Sequence, residues 1–165
     1  MKVVLRTVLA TLVVILFAPA ALAEEAKAGA AKAKPAAKPA KLVTMAPDEL
    51  KWVANPANAE VLMAVVRGNP AKGPHAAFHK FKPGFSAGLH THSSDFNIAV
   101  VSGTLIAGPE GGPEKKLPAG SYEYQPHGVK HVTGCDTGSE CVIFVVSSGK
   151  FDLTPAEEKK AEPKK

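Results

Sequence analysis

Hydrophobic and polar positions alternate along short stretches of this chain, with Gly and Pro clusters between them. Val61 to Arg67 is apolar and rich in β-branched residues, and ends at Gly68-Asn69-Pro70 and Lys72-Gly73-Pro74. His75 to Lys82 alternates up to Pro83-Gly84, Phe96 to Val101 runs to Ser102-Gly103, Ser121 to Gln125 alternates again, and Val142 to Val146 is continuously apolar. Short runs of this kind, each closed by turn-forming residues, predict an all-β sandwich or barrel. One segment departs from the pattern. In Pro47 to Val53, Asp48 and Glu49 lie near the start and Leu50 and Val53 share a face, which predicts a helical turn. No internal repeat is visible.

The two ends read differently. Lys2 and Arg6 precede an apolar run from Val8 to Phe17, followed by Pro19 and the small-x-small sequence Ala21-Leu22-Ala23. This is the pattern of an export signal cleaved after Ala23, and the apolar run is shorter than the roughly 20 residues of a membrane span. Residues 24–41 are almost entirely Ala, Lys, Pro and Glu, with no large apolar side chain, and read as a disordered tether. Residues 155–165 read as a disordered charged tail. The folded domain is therefore expected over 42–154, in a protein that is periplasmic or secreted and not stably inserted in a membrane.

Charge follows the same division. The whole chain has a formal net charge of +5, yet residues 42–154 hold 9 Lys/Arg against 10 Asp/Glu. The basic balance belongs to the ends, so no clustered basic surface for nucleic acid is expected on the fold. Cys135 and Cys141 flank the turn-rich Asp-Thr-Gly-Ser-Glu between two apolar runs, so a short hairpin brings them within reach of a disulfide in an oxidising compartment.

The histidines carry the candidate chemistry. His90 and His92 are separated by one residue, so on a strand both point to the same face. Two imidazoles on one face and a third from a distant strand present three nitrogens to one side of a metal, leaving open positions for water, oxygen or substrate. His79 shares strand parity with Phe81 and would line the interior beside them if Phe81 points inward. His127, between Pro126 and Gly128, is expected in an exposed turn. Of Tyr122/Tyr124 and Glu123/Gln125, one pair should face the interior; core packing is the default for the tyrosines.

Glycines frame these histidines at set distances. Gly84, His90, His92 and Gly103 fit G-x5-H-x-H-x3/4-E-x6-G except at the acid; Gly120, Pro126, Gly128 and His131 fit G-x5-P-x-G-x2-H-x3-N except at the last residue. Both motifs, in order and at short spacing, resemble those of the cupin superfamily, and the wording around them is similar to small single-domain bacterial cupins, the ChrR-like kind among them. The resemblance implies a cupin-type antiparallel β-barrel (a double-stranded β-helix, or jelly roll) with His90, His92 and His131 as ligands of one divalent transition metal, whether Fe, Mn, Zn or Ni. Phe96 stands where the six-residue spacing places the family glutamate, and Cys135 replaces the terminal Asn. Asp95, one residue early, is the tentative fourth ligand; Asn97, at the longer spacing, or water are the alternatives.

Two classes of function follow. The first is a mononuclear metalloenzyme, dioxygenase-like, that acts on a small chelating molecule inside the barrel. The second is a non-catalytic, metal-dependent module that binds or senses a small molecule of the cell envelope. ChrR-like cupins regulate sigma factors, but that role needs a cytoplasmic partner, against which the export signal argues. Homodimerisation is left open.

Overall fold

The structure, a computed structural model, describes residues 41–157. The Met1–Ala23 signal and nearly all of the 24–41 tether lie outside these residues. Val43 begins the compact unit that carries the strands. Among the described residues, eleven strands follow in chain order: β1 Val53–Asn55, β2 Asn58–Gly68, β3 His75–Phe81, β4 Ser86–Thr91, β5 Phe96–Ser102, β6 Thr104–Pro109, β7 Lys115–Pro118, β8 Tyr122–Gln125, β9 His131–Cys135, β10 Cys141–Ser147 and β11 Thr154–Pro155.

The strands form two antiparallel sheets, one ordered β1-β2-β3-β10-β5-β8 and the other β11-β4-β9-β6-β7. Neither sheet closes on itself, which corrects the expectation of a β-barrel. The end strands β1 and β8, and β11 and β7, are each two to four residues long and pair on one side only. Alternation along a strand reports which side chains face the interior. Two open sheets over a shared core produce the same alternation as one closed sheet, so the pattern could not separate them.

The core explains the strand pattern. On β3, His75, Ala77, His79 and Phe81 are buried; on β5, Phe96, Ile98 and Val100; on β10, Cys141, Ile143, Val145 and Ser147. From the other sheet, Leu105 and Cys135 join Phe81, Phe85, Ile98 and Ile143 in a single hydrophobic cluster. β-branched and aromatic residues suit this half-buried pleated surface. Gly103, between β5 and β6, has φ of +75°, and a Cβ there would lie 2.4 Å from the Glu140 carbonyl oxygen. Only glycine fits that turn.

Two boundaries shift. The predicted helical turn over Pro47–Val53 shrinks to a 3-10 turn at Pro47–Glu49, and Val53 already opens β1. A segment this short cannot sustain an α-helix without tertiary support. At the other end the chain stays ordered past residue 154: Pro155 pairs with His90, and Ala156 N–H donates to the Leu89 carbonyl at 2.9 Å. The part of the expected tail from residue 158 lies outside the described residues. Among the described residues, no helix is long and apolar enough to cross a membrane.

Candidate metal centre

Strand pairing assembles the three histidines. β4 and β9 run antiparallel with His90 directly opposite His131, while His92 follows one residue after β4 and keeps the parity of His90. Ring centroids are 4.4 Å apart for His90 and His131, 4.9 Å for His90 and His92, and 5.2 Å for His92 and His131. One nitrogen from each ring lies within 4.8 Å of the others, and all three side chains are buried. Gly128, from the second motif, donates its N–H to the His92 carbonyl at 2.8 Å, tying the turn before β9 to the end of β4.

The backbone sets the tautomers. His90 Nδ1 lies 2.9 Å from the Gly88 carbonyl, His131 Nδ1 2.8 Å from the Val129 carbonyl, and His92 Nδ1 against the Asp152 carbonyl. A carbonyl oxygen only accepts, so each Nδ1 carries the hydrogen and each Nε2 keeps its lone pair. His131 Nε2 is buried with no partner among the described residues. Burial holds the His90 and His131 rings below the usual imidazole pKa, against the opposing pull of the carbonyls, and pushes His92 down to about 4. Three neutral imidazoles with oriented lone pairs fit a divalent transition metal, and this donor set does not select among the candidates.

The carboxylate positions resolve differently. Asp95 is engaged outside the histidine cluster: its Oδ1 accepts from His127 N–H at 2.8 Å and from the ring Nδ1 at 2.7 Å. The structure therefore does not bring Asp95 into the ligand group, and His127 is exposed as expected. Asn97 is on the outer face, where it accepts from the Tyr122 hydroxyl at 2.7 Å. Phe96, at the family glutamate position, is buried and stacks on the His92 ring at 4.3 Å. Cys135, at the Asn position, is bonded to Cys141 with Cα atoms 5.8 Å apart.

Other interior groups complete the surroundings. His79 is buried, as its shared parity with Phe81 implied, and joins His90 and His92 in the wall of a cavity of about 50 Å³. Phe85, Phe96 and Phe151 supply much of the remaining wall. His79 Nε2 has no partner among the described residues, and burial drives the pKa of the ring down to about 3. On β8, Glu123 and Gln125 face inward while Tyr122 and Tyr124 are exposed, which corrects the default of core tyrosines. Phe151 and Asp152 were not anticipated. They sit in the segment after β10, with the Phe151 ring 5.4 Å from His79 and 6.0 Å from His92, and no spacing marks them in the sequence.

Residues 40–151 match the family model of the ChrR Cupin-like domain. The chain belongs to this cupin family. Among solved structures, this cupin is similar to the polyketide cyclase RemF from Streptomyces resistomycificus, with 17% identity over 72% of this chain and 89% of that one, at a TM-score of 0.59. It is similar to KdgF from Halomonas sp., with 22% identity over 66% and 94% of the two chains and a TM-score of 0.53. The DMSP lyase DddQ from Ruegeria pomeroyi DSS-3 is 14% identical over 67% of this cupin, which spans 63% of that chain, at a TM-score of 0.54. Identities at this level establish a shared fold. No curated protein gives a significant match.

Proposed function

We propose that this cupin is an exported metalloenzyme that uses one divalent metal ion, held by His90, His92 and His131, to act on a small chelating molecule. The carrying observation is the side from which the ligands come. Three Nε2 lone pairs converge from β4, its extension and β9, while Phe96 replaces the carboxylate that would have supplied a fourth donor. Three protein ligands leave positions open for a chelating molecule. When bound, the ion supplies Lewis acidity toward that molecule's oxygen atoms and, if it is iron or manganese, a route to dioxygenase-like chemistry.

The residues of the chain do the rest. Phe85, Phe96 and Phe151 give the cavity of about 50 Å³ an apolar wall that receives a small apolar group. His79 adds a neutral imidazole to the same wall, and its Nε2 has no partner among the described residues. RemF is described as a polyketide cyclase and DddQ as a DMSP lyase, and both names support small-molecule chemistry on this fold. The Met1–Ala23 pattern and the Cys135–Cys141 disulfide support a periplasmic or secreted location.

The small size of the cavity favours the second reading, a binding or sensing module that holds a ligand without turning it over. Protein loaded separately with Fe(II), Mn(II), Ni(II) or Zn(II) would be mixed with small diketones and hydroxy acids, with oxygen uptake and products followed. Metal-dependent turnover that disappears in His90→Ala supports the enzyme. Ligand binding without product under every metal establishes the module instead. Intact mass of the exported protein should place its N-terminus at Glu24; full-length protein recovered from the cytoplasm would end the export reading.

A further inference from the structure

The metal centre faces two spaces. His90 and His92 line the small apolar cavity, whereas His131 lines a separate cleft of about 350 Å³. That cleft exists because the sheets do not close: its walls are the edge strand β8 on one side and β6 and β7 on the other. Gln125 lines both spaces.

Glu123 is the unusual group in the cleft. β8 pairs with β5 so that Gln125 lies opposite Phe96 and Glu123 opposite Ile98, which turns both polar side chains toward the interior. Gln125 Nε2 donates to Glu123 Oε1 at 3.1 Å and approaches Thr133 Oγ1 at 3.3 Å, linking β8 to the strand that carries His131. Glu123 Oε2 is buried and has no partner among the described residues. A carboxylate oxygen withdrawn from water and left unpaired is costly, and Gln125 already holds the other oxygen in place. Burial also raises the pKa of this carboxyl, partly offset by Gln125. Glu123, with this unpaired acceptor, thus lines the same cleft as His131.

We infer that the β8/β6–β7 cleft is the approach by which the chelating molecule reaches the metal, and that Glu123 selects molecules bearing an amine or ammonium group behind the chelating end. This rests on the reading of the centre as an open three-histidine metal site. The chelating end meets the metal beside His131, the chain of the molecule lies in the cleft, and its N–H donors complete Glu123 Oε2.

The inference is tested with two chelators of the same shape, β-alanine hydroxamate and butyrohydroxamate, titrated into the Co(II)-loaded full chain and followed by the cobalt absorption spectrum. The amine-bearing hydroxamate should bind at least about 10-fold more tightly, the scale expected for a hydrogen bond to a buried charged group. Glu123→Gln should erase the difference by weakening the amine-bearing hydroxamate about 10-fold or more. Equal affinities in the wild-type protein overturn the role of Glu123 with no variant needed, and leave the open metal site standing. A spectrum that responds to neither hydroxamate, with cobalt bound, removes the open site and this inference together.

Discussion

The ring of Phe96 lies on the imidazole of His92, centroids 4.3 Å apart and planes 29° from parallel. An aromatic side chain thus occupies the place where the cupin motif carries an acid, and the fold gains packing where it loses a ligand. Phe96→Glu should reverse the exchange. Without metal the variant loses a core phenyl and buries a charge, so stability should fall by about 3–5 kcal/mol or more. With metal present the new carboxylate gains a partner, and the metal-induced rise in Tm should exceed that of the wild-type protein. Thermal unfolding in chelator and in Zn(II) checks both halves. A variant with unchanged Tm in chelator would show that the Phe96 contact contributes little.

The ligand assignment predicts a sharp division among variants. Each histidine is one of three protein donors, so His90→Ala and His131→Ala should lose metal affinity by orders of magnitude. Asp95 is engaged with His127 at the surface, so Asp95→Asn should keep its metal. Metal content after exhaustive dialysis decides. Full occupancy in either histidine variant would dismantle the site, and an empty Asp95→Asn would return Asp95 to the ligand set.

What the sequence made legible follows from how each feature is encoded. Same-face placement of His90 and His92 needs only strand parity, and His131 is carried by a local motif, so the three-histidine cluster able to hold a metal could be read directly. The parity of His79 with Phe81 worked in the same way. Sheet closure was not readable, because it depends on whether distant end strands hydrogen-bond, and alternation is blind to that. Neither was the orientation of β8: both Tyr122/Tyr124 and Glu123/Gln125 are amphipathic pairs, and a four-residue edge strand gives few positions to decide between them. Phe151 and Asp152 reach the site from about sixty residues beyond His92, outside both motifs, and only the fold reveals them.

Stability of the metal-free protein should fall in acid. The ring of His79 titrates near 3 in the folded state, chiefly through burial, and near 6.5 when unfolded. Above about 6.5 both states are neutral and the full stability is present. As pH falls below that value the unfolded chain takes up a proton that the folded chain refuses, and stability declines until the folded pKa is reached. The slope is at most about 1.4 kcal/mol per pH unit for each such histidine. Urea midpoints between pH 7 and 4, in chelator, should show this decline, and His79→Gln should make it shallower. A flat profile would mean that His79 is hydrated in solution.

The disulfide should be structural and separable from the metal. Cys135 ends β9 and Cys141 opens β10, whereas His131 is held by pairing with β4. Replacing both cysteines by alanine should cost about 2 kcal/mol or somewhat more, the scale for a loop this short plus two buried sulfur atoms. Metal content should be unchanged. Urea unfolding and metal analysis of the double variant test the two statements separately; loss of metal would show that the bridge positions His131.

The last prediction concerns Asp152, whose backbone and side chain act on the site together. Its carbonyl accepts the His92 Nδ1 hydrogen, and its carboxylate accepts the Ser93 N–H at 2.8 Å and the Ser93 hydroxyl. The side chain therefore clamps the segment after β10 onto the residue next to His92, and the clamp keeps the carbonyl where it fixes the ring's tautomer and orientation. Asp152→Ala removes the clamp but not the carbonyl. Metal affinity should fall by about 10- to 100-fold, the usual effect of groups that orient a ligand without touching the metal. Ser93→Ala removes only the hydroxyl and should fall less, and the double variant should be no worse than Asp152→Ala, because both changes open the same contact. Competition with a chromophoric chelator measures all three. Additive losses would mean that Asp152 and Ser93 support His92 independently, and an unchanged affinity in Asp152→Ala would mean that β4 alone orients the ring.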